Sequence, residues 1–270
     1  MTGSIIAVVG DTHFGSTLAP ASPTYKLHTA RKEEAAEQTA NKLQLDLYEK
    51  WQDYWRYVFN LAGIKGRSRK HRLILIHLGD VIDGNHHDTH QITPEVADQI
   101  ALANNLMGEV HKLADVRIGI QGTEVHTGVN GEDEEGFYRD NNYQYIAHQL
   151  TIEIDGVLLD LAHHGRVPGR KWSSGASSLA SAVALDYQQA GIRAPDFIFR
   201  GHNHQLDDSG ERLRKTRAVS CPCWQHRTGH GYKVSTSKLA DIGGIVVNCG
   251  VLDFSHARYE FPSDGEVIRI

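Results

Sequence analysis

A chain of 270 residues with 40% hydrophobic content can bury a sizeable core and is most economically one domain, 1–270. Its net charge of −5 argues against a generally basic nucleic-acid binder, and its three cysteines (Cys221, Cys223, Cys249) suit neither a disulfide framework nor paired zinc-finger spacing. The apolar run Ile5 to Val9 stops at Gly10, and no stretch approaches membrane-spanning length, so a soluble cytoplasmic protein with no membrane partner is expected. The oddity in the composition is 17 histidines.

In chain order, Ile5 to Val9 reads as a buried strand running into Gly10-Asp11-Thr12-His13. Residues 14 to 30 carry Gly15, Pro20 and Pro23 and read as a loop at the mouth of a site. From Glu33 to Asn60 the spacing of Leu43, Leu47, Trp51, Tyr54, Trp55 and Val58 predicts a helix whose aromatic stripe packs on a sheet. The basic stretch Lys65 to Arg72 reads as a solvated turn rather than a phosphate contact, since no aromatics interleave it.

The unbroken run Leu73 to Leu78 predicts a strand covered on both faces, delivering Gly79-Asp80-Val81-Ile82-Asp83 to its carboxyl end. His86, His87, Asp88 and His90 follow in a polar segment, where substrate contact and plain exposure are equally open. Pro94 after Thr93 predicts the start of a helix reaching Leu113, and a strand over Val116 to Ile120 leads into Gln121-Gly122-Thr123-Glu124. Residues 127 to 136 read as a Gly-rich acidic loop and Phe137 to Leu150 as a helix. Asp155-Gly156 predicts a hairpin turn between Thr151 to Ile154 and Val157 to Ala162, which ends in His163-His164-Gly165.

After a Gly/Ser/Arg loop at 165 to 177 comes a helix near Leu179 to Ala190, then Phe197 to Phe199 and Gly201-His202-Asn203-His204. Ala218 to Ser220, Gly244 to Asn248, Tyr259 to Phe261 and Val267 to Ile270 are later strand candidates, suggesting a second, largely antiparallel sheet. The class is therefore α/β, with two packed sheets flanked by helices. Cys221-Pro222-Cys223 reads as packing, with metal binding the lesser alternative. Trp224 and the aromatic helix could serve a homo-oligomer, though single aromatics need no such explanation.

Five strands thus aim Asp, His or Thr/Glu at one sheet edge, where open α/β folds build their sites. Any one of these turns is ordinary. Together they collect oxygen and nitrogen donors for which a fold has little structural use, and that points to metal.

In this order, Gly10-Asp11-Thr12-His13, Gly79-Asp80-Val81-Ile82-Asp83, the pair His163-His164 and Gly201-His202-Asn203-His204 resemble the motifs of the calcineurin-like metallophosphoesterase superfamily. The third motif departs: where that family shows Gly-Asn-His-Glu/Asp, this chain has Gly122-Thr123-Glu124-Val125-His126. The resemblance implies a four-layer αββα sandwich of mixed sheets. It also implies a dinuclear centre of two divalent ions (Mn, Fe, Zn or Mg, with Mn the choice for assay), with Asp11, His13 and His204 on one ion, His163 and His202 on the other, and Asp80 bridging. Thr123 takes the place of the family's asparagine ligand, and Glu124 is the alternative on charge grounds. His163 follows the strand directly and is the expected ligand; His164 is a ligand or an orienting group. Asp83 is expected to orient the catalytic histidine, here His126.

The expected chemistry is phosphoester hydrolysis: two metals about 3.5–4 Å apart lower the pKa of a bridging water and clamp a phosphoryl oxygen, while His126 protonates the leaving oxygen. Arg166, Arg170 and Lys171 either neutralise substrate phosphate or serve surface solubility. Nucleotide or nucleic-acid diesters are slightly preferred among mono- and diesters. The alternative from another class is a non-catalytic metal-binding scaffold, with hydrolysis of another ester or an amide a more distant one.

Overall fold

Alternation along the first strand, β1 (Ser4–Val9), sets the layering. Ile5, Ala7 and Val9 join a core with helical side chains, while Ile6 and Val8 join a core shared with a second sheet. A strand buried on both faces has no polar side to show, which is why it reads as a continuous apolar run. The same division holds in β4 (Arg72–His77), with Leu73 and Leu75 toward helices and Ile74 and Ile76 toward the other sheet.

The computed structural model describes residues 3–28, 36–66, 68–85, 91–165, 175–212, 216–228 and 240–260. Between β1 and β4 lie a small hairpin, β2 (Thr24–Leu27) with β3 (Ala36–Thr39), and α1 (Lys42–Ala62). After β4 come α2 (Val96–Leu113), β5 (Val116–Ile120), the single turn α3 (Glu124–Thr127), α4 (Glu132–Asp140) and β6 (Tyr145–Ala147). The chain continues through β7 (Gln149–Ile154), β8 (Val157–Ala162), α5 (Gly175–Gln189), β9 (Phe197–Arg200), β10 (Asp207–Asp208), β11 (Arg217–Ser220), β12 (Ile245–Asn248) and β13 (Val251–Asp253).

Two mixed sheets result, a six-stranded one ordered β13-β12-β1-β4-β5-β6 and a five-stranded one ordered β10-β11-β9-β8-β7. Helices α1, α2 and α4 cover the first sheet through Leu47, Trp51, Trp55, Met107 and Phe137. Helix α5 covers the second through Ala176, Leu179 and Ala180 against Ile198 and Ala218. Between the sheets lies a core built from Ile74, Ile118, Leu159, Phe199 and Val247 among others. This is the expected four-layer αββα arrangement. Among the described residues, no helix is long and apolar enough to cross a membrane.

Several boundaries differ from those expected. The segment predicted as one helix from Glu33 contains β3; the helix begins at Lys42, where Asn41 and Gln44 form a reciprocal capping box. Leu43, the first member of the predicted stripe, is exposed on that opening turn. The expected helix Phe137 to Leu150 is instead the end of α4 followed by β6 and β7. That helix starts inside the supposed acidic loop, with Glu132, Asp133, Glu134 and Glu135 on its first turn, where carboxylates suit the helix dipole.

Asn142, with φ 54°, turns the chain away from α4 so that Tyr145 to Ala147 can pair in parallel with β5. The loop predicted at 14 to 30 includes β2. Pro94 precedes the helix it was expected to open, since the cap falls at Glu95.

The second sheet is not a set of late antiparallel strands. Its centre, β8-β9-β11, is parallel, and Gly244 to Asn248 supplies β12, which returns to the first sheet antiparallel to β1. Tyr259 is held by its N–H to the Ile242 carbonyl but is not in a strand; Phe261 and Val267 to Ile270 lie outside the described residues. Trp224 is fully buried against Trp51 and Tyr54, so it is core rather than an oligomer surface.

Candidate metal centre

Strand register alone brings the motifs together. Val9 pairs with His77 and His77 with Gly119, so Asp11, Asp80 and Thr123 follow at neighbouring strand ends of the first sheet. In the second sheet Ala162 pairs with Arg200, which sets His163 beside Gly201 and His202. The turns that redirect these chains are strained: Asp11, His13, Asp80, His202 and His204 all take left-handed φ angles between 43° and 70°. That conformation costs an L-residue roughly 1–2 kcal/mol, and such strain collects at functional sites. Gly122 is required by proximity, because a Cβ there would lie 2.1 Å from Asp80 Oδ1.

The donor atoms converge on Asp80. His163 Nε2 lies 3.1 Å from its Oδ2, while His13 Nε2 and His126 Nε2 each lie 4.0 Å from the same oxygen. Its other oxygen accepts the Thr123 N–H at 2.6 Å. Asp11 Oδ1 lies 3.3 Å from His204 Nε2 and 4.0 Å from His163 Nε2, and both Asp11 oxygens accept the His202 N–H. His13 Nε2 faces His204 Nε2 at 3.2 Å. Four ligand-like triads result: Asp11-His13-His204, His13-Asp80-His126, Asp11-Asp80-His163 and His163-His164-His202.

Tautomers are fixed from outside the cluster. His163 Nδ1 donates to the Leu78 carbonyl at 2.6 Å and His126 Nδ1 to the Asp83 carbonyl at 2.7 Å. Each bond leaves Nε2 as the nitrogen turned to the site, the usual way a carbonyl orients a ligating imidazole.

A neutral His163 would then point a lone pair at a carboxylate, so the geometry calls for a positive charge between them. The electrostatics agree. Burial opposes protonation of His163, yet Asp80 and Asp11 raise its pKa to about 9. Burial likewise works to raise Asp11, but His204 and His163 hold it at about 2, and His163 foremost holds Asp80 well below its ordinary value. Two buried carboxylates ringed by imidazole nitrogens fit divalent cations.

The expected site residues divide as follows. Asp11, His13, Asp80, Thr123, His126, His163, His164, His202 and His204 are brought together. Thr123 turns its hydroxyl inward, 3.1 Å from His163 Nε2 and 3.3 Å from His202 Nδ1, whereas Glu124 is exposed and belongs to none of the four triads. Asp83 does hold His126, but through its backbone carbonyl. Its carboxylate faces His13 Nδ1 at 3.5 Å and accepts from Gln225 Nε2 at 3.0 Å.

Arg166, Arg170, Lys171, His86, His87, Asp88 and His90 lie outside the described residues. The basic stretch ends at the amino end of β4, the far end from Asp80, where Arg69 pairs with Asp115 and Arg72 with Asp155. Cys223 is buried and its sulfur stands beside His204.

Glu134 carries no mark in the sequence that singles it out. Fully buried beneath the centre, it accepts from the Val81 N–H at 2.9 Å and the Gly122 N–H at 2.6 Å, tying the second and third motifs together. Burial, with the Asp80 charge behind it, pushes its pKa up to about 8. His77 and Tyr138 extend this buried polar layer, with the Tyr138 hydroxyl 3.2 Å from His77 Nδ1 and Thr12 Oγ1 3.1 Å from His77 Nε2.

No family model and no curated protein matches the chain. Among solved structures it is similar to a metallophosphoesterase from Sphaerobacter thermophilus (TM-score 0.41, 11% identity, 96% of this chain and 89% of that one). It is also similar to Yfce, a phosphoesterase from E. coli (TM-score 0.40, 14% identity, 90% and 91%), and to a novel archaeal phosphodiesterase (0.40, 13%, 81% and 84%). Likeness at this level assigns no activity; the chemistry rests on the side chains themselves.

Proposed function

We propose that this protein is a divalent-metal-dependent phosphoesterase that hydrolyses phosphate mono- or diesters at a two-cation centre. The observation that carries the reading is the placement of Asp80, whose Oδ2 has the Nε2 atoms of His163, His13 and His126 within 4.0 Å while Asp11 lies beside His163 and His204. Asp11, His13 and His204 would hold one ion, His163 and His202 the second, and Asp80 would be shared. Bound divalent cations supply a water of lowered pKa and a clamp on phosphoryl oxygens.

The chain's own residues supply the rest. With Nδ1 bonded to the Asp83 carbonyl, His126 can carry its second proton only on Nε2, facing the reacting centre. From there it can protonate a leaving oxygen, a step worth roughly 10²–10⁴ in rate. Because an alkoxide leaving group needs that proton most, nucleotide or nucleic-acid diesters are the first class to compare with monoesters. Manganese is the first cation to supply.

Hydrolysis of an aryl phosphate monoester and diester with added Mn²⁺ tests the reading. Wild type is expected to turn over at least one of them, and Asp80→Asn and His204→Ala neither. Activity left intact in those variants overturns it.

A further inference from the structure

Three imidazoles, His163, His164 and His202, gather where β8 and β9 end. Their ring centroids are 4.8 Å apart for His163–His164, 4.5 Å for His164–His202 and 5.3 Å for His163–His202, with interplanar angles of 83°, 63° and 70°. None of the pairs is stacked face to face, and one nitrogen of each lies within 4.8 Å of the others. His163 is locked with Nε2 inward by its bond to the Leu78 carbonyl. The third motif sends only the Thr123 hydroxyl to this end, a neutral oxygen 3.1 Å from His163 Nε2 and 3.3 Å from His202 Nδ1. The cluster of His13 and His204 has the Asp11 carboxylate within its own triad, whereas the carboxylate nearest these three imidazoles is the shared Asp80, 3.1 Å from His163 Nε2.

We propose that His164 is a third imidazole ligand of the cation held by His163 and His202, making this half of the centre a nitrogen-rich site. Such a site takes borderline cations, Zn²⁺, Co²⁺ or Ni²⁺, in preference to Mn²⁺ or Mg²⁺, because imidazole suits the former and carboxylate or carbonyl oxygen the latter. The two halves would then differ in which metal they prefer. The proposal rests on the two-cation reading above.

The test titrates chelator-stripped, full-length protein with Co²⁺, followed by calorimetry and visible absorption, for wild type, His164→Ala and His164→Ala/Thr123→Asn. Wild type is expected to take up two ions. His164→Ala keeps one at wild-type affinity, which also reports an intact fold, and binds the other about tenfold or more weakly. An amide carbonyl at position 123, a better oxygen donor than a hydroxyl, recovers part of that loss. Two ions bound by His164→Ala as tightly as by wild type overturn the proposal and leave the two-cation reading standing. Wild type binding one ion or none overturns both.

Discussion

The six-stranded sheet brings both carboxylates to the centre, Asp11 after β1 and Asp80 after β4, while the five-stranded sheet brings only imidazoles, His163 and His164 after β8 and His202 and His204 after β9. Negative charge therefore comes from one side of the inter-sheet seam and imidazole from both, since His13 and His126 also follow strands of the first sheet. Each sheet alone supplies one triad, His13-Asp80-His126 or His163-His164-His202, and the other two triads draw on both sheets. The full cluster forms only where the two pack, and there Asp80 and Asp11 raise the proton affinity of His163, and Cys223 and Asp11 that of His204. His163, held up to about 9 by Asp80 and Asp11 against the effect of burial, is where this shows most plainly.

Removing the charge from the first sheet gives the largest effect. Asp80→Asn is expected to bring hydrolysis to background and weaken uptake of both cations, measured by turnover and by metal content; a variant that keeps both would mean that the imidazole side suffices. Next comes the acid. His126→Ala should retain both cations while losing roughly 10²–10⁴ in kcat on alkyl esters and much less on an aryl ester, whose leaving group needs no proton. Identical measurable rates on both substrates would remove His126 as the acid, and no turnover by either protein would favour the non-catalytic scaffold.

The proton that stands in for a cation gives a third test. A histidine whose folded pKa is raised from 6.5 to about 9 contributes stability that is fully present below 6.5 and lost as pH rises through 9. Chelator-stripped protein should therefore lose on the order of 3 kcal/mol between pH 6.5 and 9.5, read by thermal or urea unfolding. Metal-loaded protein should lose little of this, since a cation replaces the proton. Parallel curves for the two forms would refute that exchange.

Glu134→Gln is the smallest expected change. An amide can still accept at one of the Val81 and Gly122 N–H groups but sets its own NH₂ against the other, costing about 1–3 kcal/mol of stability. Loosening Asp80 in this way should weaken metal binding by roughly tenfold, as seen when groups that orient ligands are removed. Unchanged affinity would make Glu134 a structural clamp only.

The same division explains what could be read from the sequence. The ligand turns were legible because each ends an apolar run, and strands buried on both faces announce where they stop. Asp11, Asp80, His163 and His202 follow such runs directly. Glu134 was hidden because a carboxylate among Glu132, Asp133 and Glu135 looks like one more solvated charge, and only the approach of two loops makes it an acceptor. Gln225 was hidden by separation, lying 142 residues from the Asp83 carboxylate it contacts. The second sheet was misjudged because pairing partners leave no periodic mark: Ile245 to Asn248 looks the same whether it joins late strands or returns to β1. At the third motif Thr123 and Glu124 both stayed open, because residue type does not show side-chain direction; at the start of α3 the hydroxyl turns inward and Glu124 is exposed.

Anomalous scattering from a manganese-soaked crystal would place the cations relative to Asp80. Two peaks are expected on either side of the Asp80 carboxylate, one bordered by Asp11, His13 and His204 and the other by His163 and His202. A single peak, or ions bound away from Asp80, would contradict a two-cation centre shared through that carboxylate.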